Sequence, residues 1–258
     1  MTGNGRAVWV TGAASGMGAA HARRFAELGD RVGCLDLDAE RLATTVKAIR
    51  DGGGEATGVV ADVTDWAGLR EATAELHHSL GPASVVVANA GVIADGEHIE
   101  QLEPSDWQRI IDVNLTGAFL TAKTAIPQLR AAEDASLILV SSVCGLTASA
   151  GFGAYNASKH AVIGLARTLA NELGPDGITV NAVCPGWVRT PMLQHSLDDA
   201  GADPSELGAF TSMSLIERLI EPEEVTEAVV WLASRGARMV TGVALPVDGG
   251  LMEKRAWP

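Results

Sequence analysis

Seven short runs rich in aliphatic residues punctuate the chain: 7–11 (AVWVT), 31–36 (RVGCLD), 56–62 (ATGVVAD), 84–91 (SVVVANAG), 136–142 (SLILVSS), 178–186 (ITVNAVCPG) and 243–250 (VALPVDGG). Several are apolar at consecutive positions, as strands buried on both faces of a parallel sheet are. Between them, apolar residues recur at helical spacing over 16–28, 38–51, 66–79, 104–131, 154–173 and 222–233, the fourth long enough for two helices. This alternation predicts an α/β fold, a doubly wound, mainly parallel seven-stranded sheet with helices on both faces in a single Rossmann-like domain over 1–258. Segment 187–221 has no strand pattern and breaks the alternation, which makes it the expected substrate lid.

Two helical segments are apolar on more than one side. The helix from Tyr155 carries Val162, Ala166, Leu169 and Leu173 on one stripe and Ile163, Gly164 and Leu165 elsewhere, and 115–129 has Lys123 as its single charge. A single layer of helices does not bury such segments all round, so a symmetric homo-oligomer, a dimer or tetramer, is expected.

Composition narrows the function. At 258 residues the chain fits one large α/β domain. Its formal charge of −13 has the wrong sign for nucleic acid or an anionic membrane surface. No apolar run reaches the length of a membrane span and the first residues lack a secretory pattern, so a cytoplasmic protein is expected. Cys34, Cys144 and Cys184 form neither a CxxC pair nor a zinc-ligand spacing, so reduced thiols and no metal are expected.

The stretch VTGAASGMG (10–18) joins the first strand to the first helix. Gly12, Gly16 and Gly18 can form a tight turn that brings helix-terminal N–H groups to a pyrophosphate, with Ser15 and Met17 in the same turn. Asp36 ends the second strand, where an acid can accept bonds from the adenosine ribose hydroxyls, with Leu37 beside it. Asp36 could equally cap the following helix. Asp36 and Asp38 would repel a 2′-phosphate and no Arg or Lys lies in the loop or beside Asp36, which favours NAD over NADP; Arg41 reads as a solvated helix charge.

Tyr155 and Lys159 lie four apart in YNASK (155–159), so they share a helix face, and the lysine charge beside the phenol would favour its ionised form. Together TGAASGMG (11–18), Asp62, NAG (89–91), Asn114, Ser142, YNASK and PGWVRT (185–190) resemble, in order and interval, the short-chain dehydrogenase/reductase family of about 250 residues. The resemblance covers essentially the entire chain. One departure is Ala88, where the family often has a second asparagine; Asn89 keeps the position that ties neighbouring strands. Met17 replaces a commoner branched residue.

The resemblance implies oxidation of a hydroxyl or reduction of a ketone, with Tyr155 as acid or base. A phenol with a pKa near 10 is mostly protonated at neutrality, so Lys159 and the positive nicotinamide of the oxidised cofactor must pull it down. Lys159 would also bond the nicotinamide ribose, Ser142 would hold the substrate oxygen, and Asn114 would bind a water linking Lys159 to solvent; Ser141 fits less well by spacing. By the same resemblance Asp62 and Val63 flank the adenine, Asn89, Ala90 and Gly91 line the cofactor, and Pro185, Gly186, Val188 and Thr190 meet its nicotinamide end.

Substrate candidates are Ser142, Cys144, Phe152, Tyr155 and Trp187, with Leu146, Val92, Ile93, Met192, Leu193, Phe210, Met213 and Leu215 as further apolar neighbours. They suit an apolar secondary alcohol or ketone. His195 and the acidic run 196–203 read as an exposed lid face. Two other readings stay open, an NADPH-dependent ketoreductase of polyketide or fatty-acid type and a non-catalytic NAD-binding scaffold.

Overall fold

A computed structural model of the chain describes residues 5–93, 97–199, 208 and 211–254. Seven strands pair in parallel throughout: β1 (Ala7–Thr11), β2 (Arg31–Asp36), β3 (Glu55–Val60), β4 (Ala83–Ala88), β5 (Ser136–Val140), β6 (Thr179–Pro185) and β7 (Ala244–Val247). Their order is β3-β2-β1-β4-β5-β6-β7. The order reverses between β1 and β4, the switch point beside which ligands of such sheets bind.

Strands β1, β4, β5 and β6 are buried at every position, because helices cover both sides. On one face lie α3 (Trp66–Leu80), α5 (Gly117–Ala131) and α6 (Gly153–Leu173), packed through Leu76, Leu129 and Leu169. On the other lie α1 (Gly16–Glu27), α2 (Ala39–Asp51) and the helix Pro222–Leu232, packed through Phe25, Val46 and Val229. Asp38 caps α2 and Asp65 caps α3, each accepting an N–H of the first turn at 3.0 Å. Pro222 opens its helix behind a reciprocal Glu221–Glu224 capping box.

The structure refines the sequence pattern at several points. Strand β7 stops at Val247, short of 250, because Gly249 and Gly250 adopt φ of 62° and 81° and turn the chain back. The run 104–131 is α4 (Pro104–Ile111) joined to α5 by a π-turn over Asp112–Thr116, centred on Asn114. Segment 187–221 contains α7 (Pro191–Asp199). The loop after β6 is pinned there, Ile220 donating to the Trp187 carbonyl and Arg189 to the Ile220 carbonyl, 2.9 Å each.

The helix faces that suggested an oligomer divide in two. Ile163 of α6 is buried within the chain's own core, while Ala157 and Gly164 are exposed. On the neighbouring helices Trp66, Trp107 and Phe119 are exposed, with the Lys123 ammonium 4.6 Å from the Trp66 ring centroid. Among the described residues no helix is long and apolar enough to cross a membrane.

Candidate active site

The turn after β1 is shaped by contacts that only glycine permits. Gly12 has φ 68°, and a Cβ there would fall 2.8 Å from Asn89 Nδ2 and 2.9 Å from Ala90 Cα. At Gly18 a Cβ would fall 2.0 Å from the Gly12 carbonyl oxygen. Asn89 fastens this turn to the end of β4, its Nδ2 donating to the carbonyls of Thr11 at 2.9 Å and Gly12 at 3.3 Å. The N–H groups of Asn89 and Ala90 both donate to Thr11 Oγ1 at 3.1 Å. Ser15 caps α1 without a side-chain hydrogen bond, so the first-turn N–H groups keep their capacity for an anion.

A cleft of about 340 Å³ runs along this turn, bordered by Gly12, Ser15, Gly16, Met17 and Gly18. Asp36, Leu37, Asp62, Val63, Asn89, Ala90, Gly91 and Thr190 border it too, whereas Tyr155, Lys159, Pro185, Gly186 and Val188 of the expected set are not among its described lining residues. Ala61, Val113 and Pro191 also border it without having been singled out, since aliphatic and proline side chains carry no motif, and Val92 and Met192, expected near the substrate, border it as well. The Asp36 carboxylate accepts the N–H of Ala14 at 2.9 Å and of Asp38 at 3.0 Å. It does not cap α2; that role is Asp38's. Arg41 pairs with Asp38 at 3.4 Å on the surface. The side-chain-free cradle and an acid beside it fit an adenine dinucleotide.

Tyr155 stands in the first turn of α6, and Ser142 caps the short turn Val143–Gly145, its Oγ accepting the Cys144 N–H at 3.1 Å. Ser142 and Tyr155 border the same pocket, where the serine hydroxyl favours the ionised form of the phenol. Ser141 turns elsewhere: its Oγ donates to the Lys159 carbonyl at 2.8 Å, fixing the loop against α6. Lys159 is buried, its ammonium donating to the Val140 carbonyl at 3.0 Å and lying 5.5 Å from the Tyr155 ring centroid. A Cβ on Gly91 would sit 3.4 Å from that ammonium and 3.2 Å from Asn114 Oδ1, so the lysine lies behind Gly91, which borders the dinucleotide cleft.

Burial dominates the electrostatics of the polypeptide alone. Burial pushes the Tyr155 phenol above its ordinary value, Cys144 adds to the shift, and the Ser142 hydroxyl opposes it. Lys159 does not offset this within the polypeptide, because its ammonium meets the ring and a carbonyl and is itself lowered to about 8 by burial. Asn114 lies buried in the π-turn before α5. Its Nδ2 donates to the Val92 carbonyl at 2.9 Å and Ser158 Oγ at 3.1 Å, and its Oδ1 accepts the Val92 N–H at 2.7 Å. Its side chain thus ties the π-turn to the loop after β4.

A second pocket, also about 340 Å³, adjoins the phenol. Ser142, Cys144, Phe152, Tyr155 and Trp187 all border it, as do Pro185, Gly186 and Val188, while Met17, Thr190 and Met192 border both cavities. Ile93, Leu193 and Met213 join the lining as expected. Leu146 instead packs on the core, Val92 packs near Ile110, and Leu215 lies exposed against Gly250. His195 is exposed; Phe210 and residues 200–203 fall outside the described residues. Val143, Thr147, Ser149, Leu251 and Met252 were missed. The last two lie far along the chain from the tyrosine motif, and no local signal places them beside it.

Residues 12–252 match the family described as enoyl-(acyl carrier protein) reductase. The cis-4-hydroxycyclohexanecarboxylate dehydrogenase of Sinomonas cyclohexanicum is 38% identical over 95% of this chain and 96% of its own. Among solved structures, carveol dehydrogenase from Mycobacterium avium in complex with NAD superposes with a TM-score of 0.92 at 34% identity, covering 97% of this chain and 98% of that one. An actinorhodin polyketide ketoreductase variant with NADPH superposes with a TM-score of 0.91 at 36% identity, over 98% and 99% of the two chains.

Proposed function

The chain belongs to the short-chain dehydrogenase/reductase family, and on that premise we propose that it is an NAD-dependent dehydrogenase interconverting a neutral, ring-bearing secondary alcohol and its ketone. The observation that carries this reading is the Ser142–Tyr155 pair, with Lys159 behind the ring, at the junction of the glycine-cradled cleft and an apolar pocket.

Gly12, Gly16, Gly18, Asn89 and Asp36 would hold the dinucleotide, which supplies the hydride acceptor for oxidation and the donor for reduction. Tyr155 takes the proton of the alcohol during oxidation and returns it to the ketone oxygen during reduction. Ser142 holds the same oxygen by a hydrogen bond as charge develops on it. Lys159 places a positive charge behind the ring and behind Gly91, while Asn114 fixes the loop that carries Gly91 and Val92.

NAD is preferred because the Asp36 carboxylate borders the cleft with no cation among its described lining residues. The substrate pocket has no charged residue in its described lining, and four of the protein's six methionines border it: Met17, Met192, Met213 and Met252. Flexible thioethers suit bulky apolar rings. The relatives named for hydroxycyclohexanecarboxylate and carveol bring cyclic alcohols to the same reading. We further propose that segment 187–221 closes over this pocket, that the protein is cytoplasmic, and that it self-associates as a dimer or tetramer, with Trp66, Trp107 and Phe119 as exposed apolar candidates for the contact.

The reading is tested by incubating the protein with NAD and a panel of neutral cyclic secondary alcohols and following NADH absorbance. Formation of NADH with at least one, lost in Tyr155→Phe, is expected; stabilisation by NAD with no turnover of any alcohol would favour a binding scaffold. The likeness to the ketoreductase with NADPH keeps a second reading alive, and a preference for NADPH in ketone reduction would select it.

A further inference from the structure

One wall of the apolar pocket is built from the end of the chain. After β7 the Asp248 carboxylate accepts the N–H groups of Gly250 and Met252, 2.9 Å each, which caps the short turn Leu251–Glu253 and sets Leu251 and Met252 in the pocket lining. The segment 212–217 runs beside it and contributes Met213. Backbone and hydroxyl contacts join the two: Ile216 donates to the Gly249 carbonyl at 2.9 Å, and Ser214 Oγ donates to the Asp248 carbonyl at 3.2 Å.

One long side chain closes this seam. The Lys254 ammonium donates to the Ser212 carbonyl, to the Ser214 carbonyl at 3.0 Å and to the Glu217 carboxylate at 2.8 Å. Its three donors thus meet three acceptors. The two carbonyls flank Met213, so the charge holds the backbone on either side of one lining residue while its own backbone follows the turn that carries two others.

We propose that Lys254 is a specificity-determining positioning residue that clamps 212–217 to the C-terminal turn and so sets the width of the substrate pocket. The inference rests on the reading of this pocket as the alcohol site. Lys254 does not border the pocket and acts through Met213, Leu251 and Met252. Without the clamp, two flexible methionines and a leucine are free to move apart, which loosens the grip on a small ring while a large ring still fills the space. A guanidinium, a planar fork, matches this three-acceptor cradle less well than an ammonium.

The test compares wild type, Lys254→Met and Lys254→Arg in hydrogen exchange and in kinetics with cyclohexanol and a bulky bicyclic secondary alcohol. In Lys254→Met, amide exchange is expected to accelerate in 212–217 and 248–254 while the glycine turn at 12–18 stays protected. KM for cyclohexanol should rise about tenfold, as expected for loss of a charged hydrogen-bond cluster at partial exposure, with kcat, the bicyclic KM and NAD affinity nearly unchanged. Lys254→Arg should recover part of the selectivity. Unchanged exchange in both segments, or equal losses with both alcohols, would overturn the clamp. If wild type oxidises neither alcohol, the dehydrogenase reading fails, and the exchange pattern still decides whether Lys254 holds the wall.

Discussion

The Lys159 ammonium lies 5.5 Å from the centroid of the Tyr155 ring and bonds the Val140 carbonyl, so the cation faces the flat of the phenol and a peptide oxygen. Burial consequently dominates the phenol and raises its pKa. Tyr155 is the one tyrosine in the chain, so its ultraviolet phenolate band is read without interference from another phenol. In the protein alone the band should appear only above the ordinary tyrosine range near pH 10. With oxidised NAD bound it should appear at lower pH, the added positive charge opposing burial. No downward displacement with NAD would remove the electrostatic basis for Tyr155 as a base.

Replacing Tyr155 by Phe removes the hydroxyl and keeps the ring. Turnover should fall by about 10²–10⁴, the usual contribution of a positioned acid or base, with NAD binding retained. Steady-state rates and a cofactor titration measure both.

Lys159 carries a stability signature. Burial lowers its pKa from 10.5 to about 8, so the folded state binds the proton less tightly than the unfolded state. Below pH 8 both states hold the proton and folding bears the full desolvation cost; between about 8 and 10.5 the unfolded state alone holds it, and stability contributed by this group rises with pH. Lys159→Met should flatten that rise. Urea unfolding of both proteins at neutral pH and at pH values within the window checks the difference in slope, and equal slopes would refute the assignment.

Gly18→Ala places a methyl about 2.0 Å from the Gly12 carbonyl oxygen, and the obstacle is backbone. The turn must shift, so a loss of roughly 1–3 kcal/mol in stability is expected, as for overpacking elsewhere, together with a larger loss of NAD affinity. Thermal unfolding with and without NAD separates the two effects. A variant stabilised by NAD as strongly as wild type would show that the turn does not receive the dinucleotide.

Asp36 bears on the choice of cofactor. Asp36→Ala removes the carboxylate that borders the cleft and should narrow the preference for NAD over NADP by about tenfold to a hundredfold, through weaker NAD binding and relief of repulsion toward a 2′-phosphate. The ratio of kcat/KM values with the two cofactors reads this directly.

The described lining of the substrate pocket contains no cation to receive an acid. A neutral ring such as 4-methylcyclohexanol should therefore be oxidised at least about tenfold more efficiently than 4-hydroxycyclohexanecarboxylate, since a carboxylate would be desolvated without a partner. The reverse order would place an unrecognised cation at the pocket.

The amino-acid sequence by itself determined the strands, the helices and the glycine turn, because these rest on local pattern: runs such as 85–88 are apolar at every position and fit a strand covered on both faces. It also placed Ser142, Tyr155 and Lys159, since their intervals survive in the chain itself. Tertiary structure decided what depends on burial and on contacts between distant segments. Whether Asp36 or Asp38 caps α2, which way the Lys159 ammonium points, and that Asn114 spends its amide on Val92 follow from three-dimensional placement. The C-terminal wall of Leu251 and Met252, held to 212–217 by Lys254, is the furthest from any sequence signal: its parts acquire meaning only when the sheet brings the end of β7 beside the end of β6.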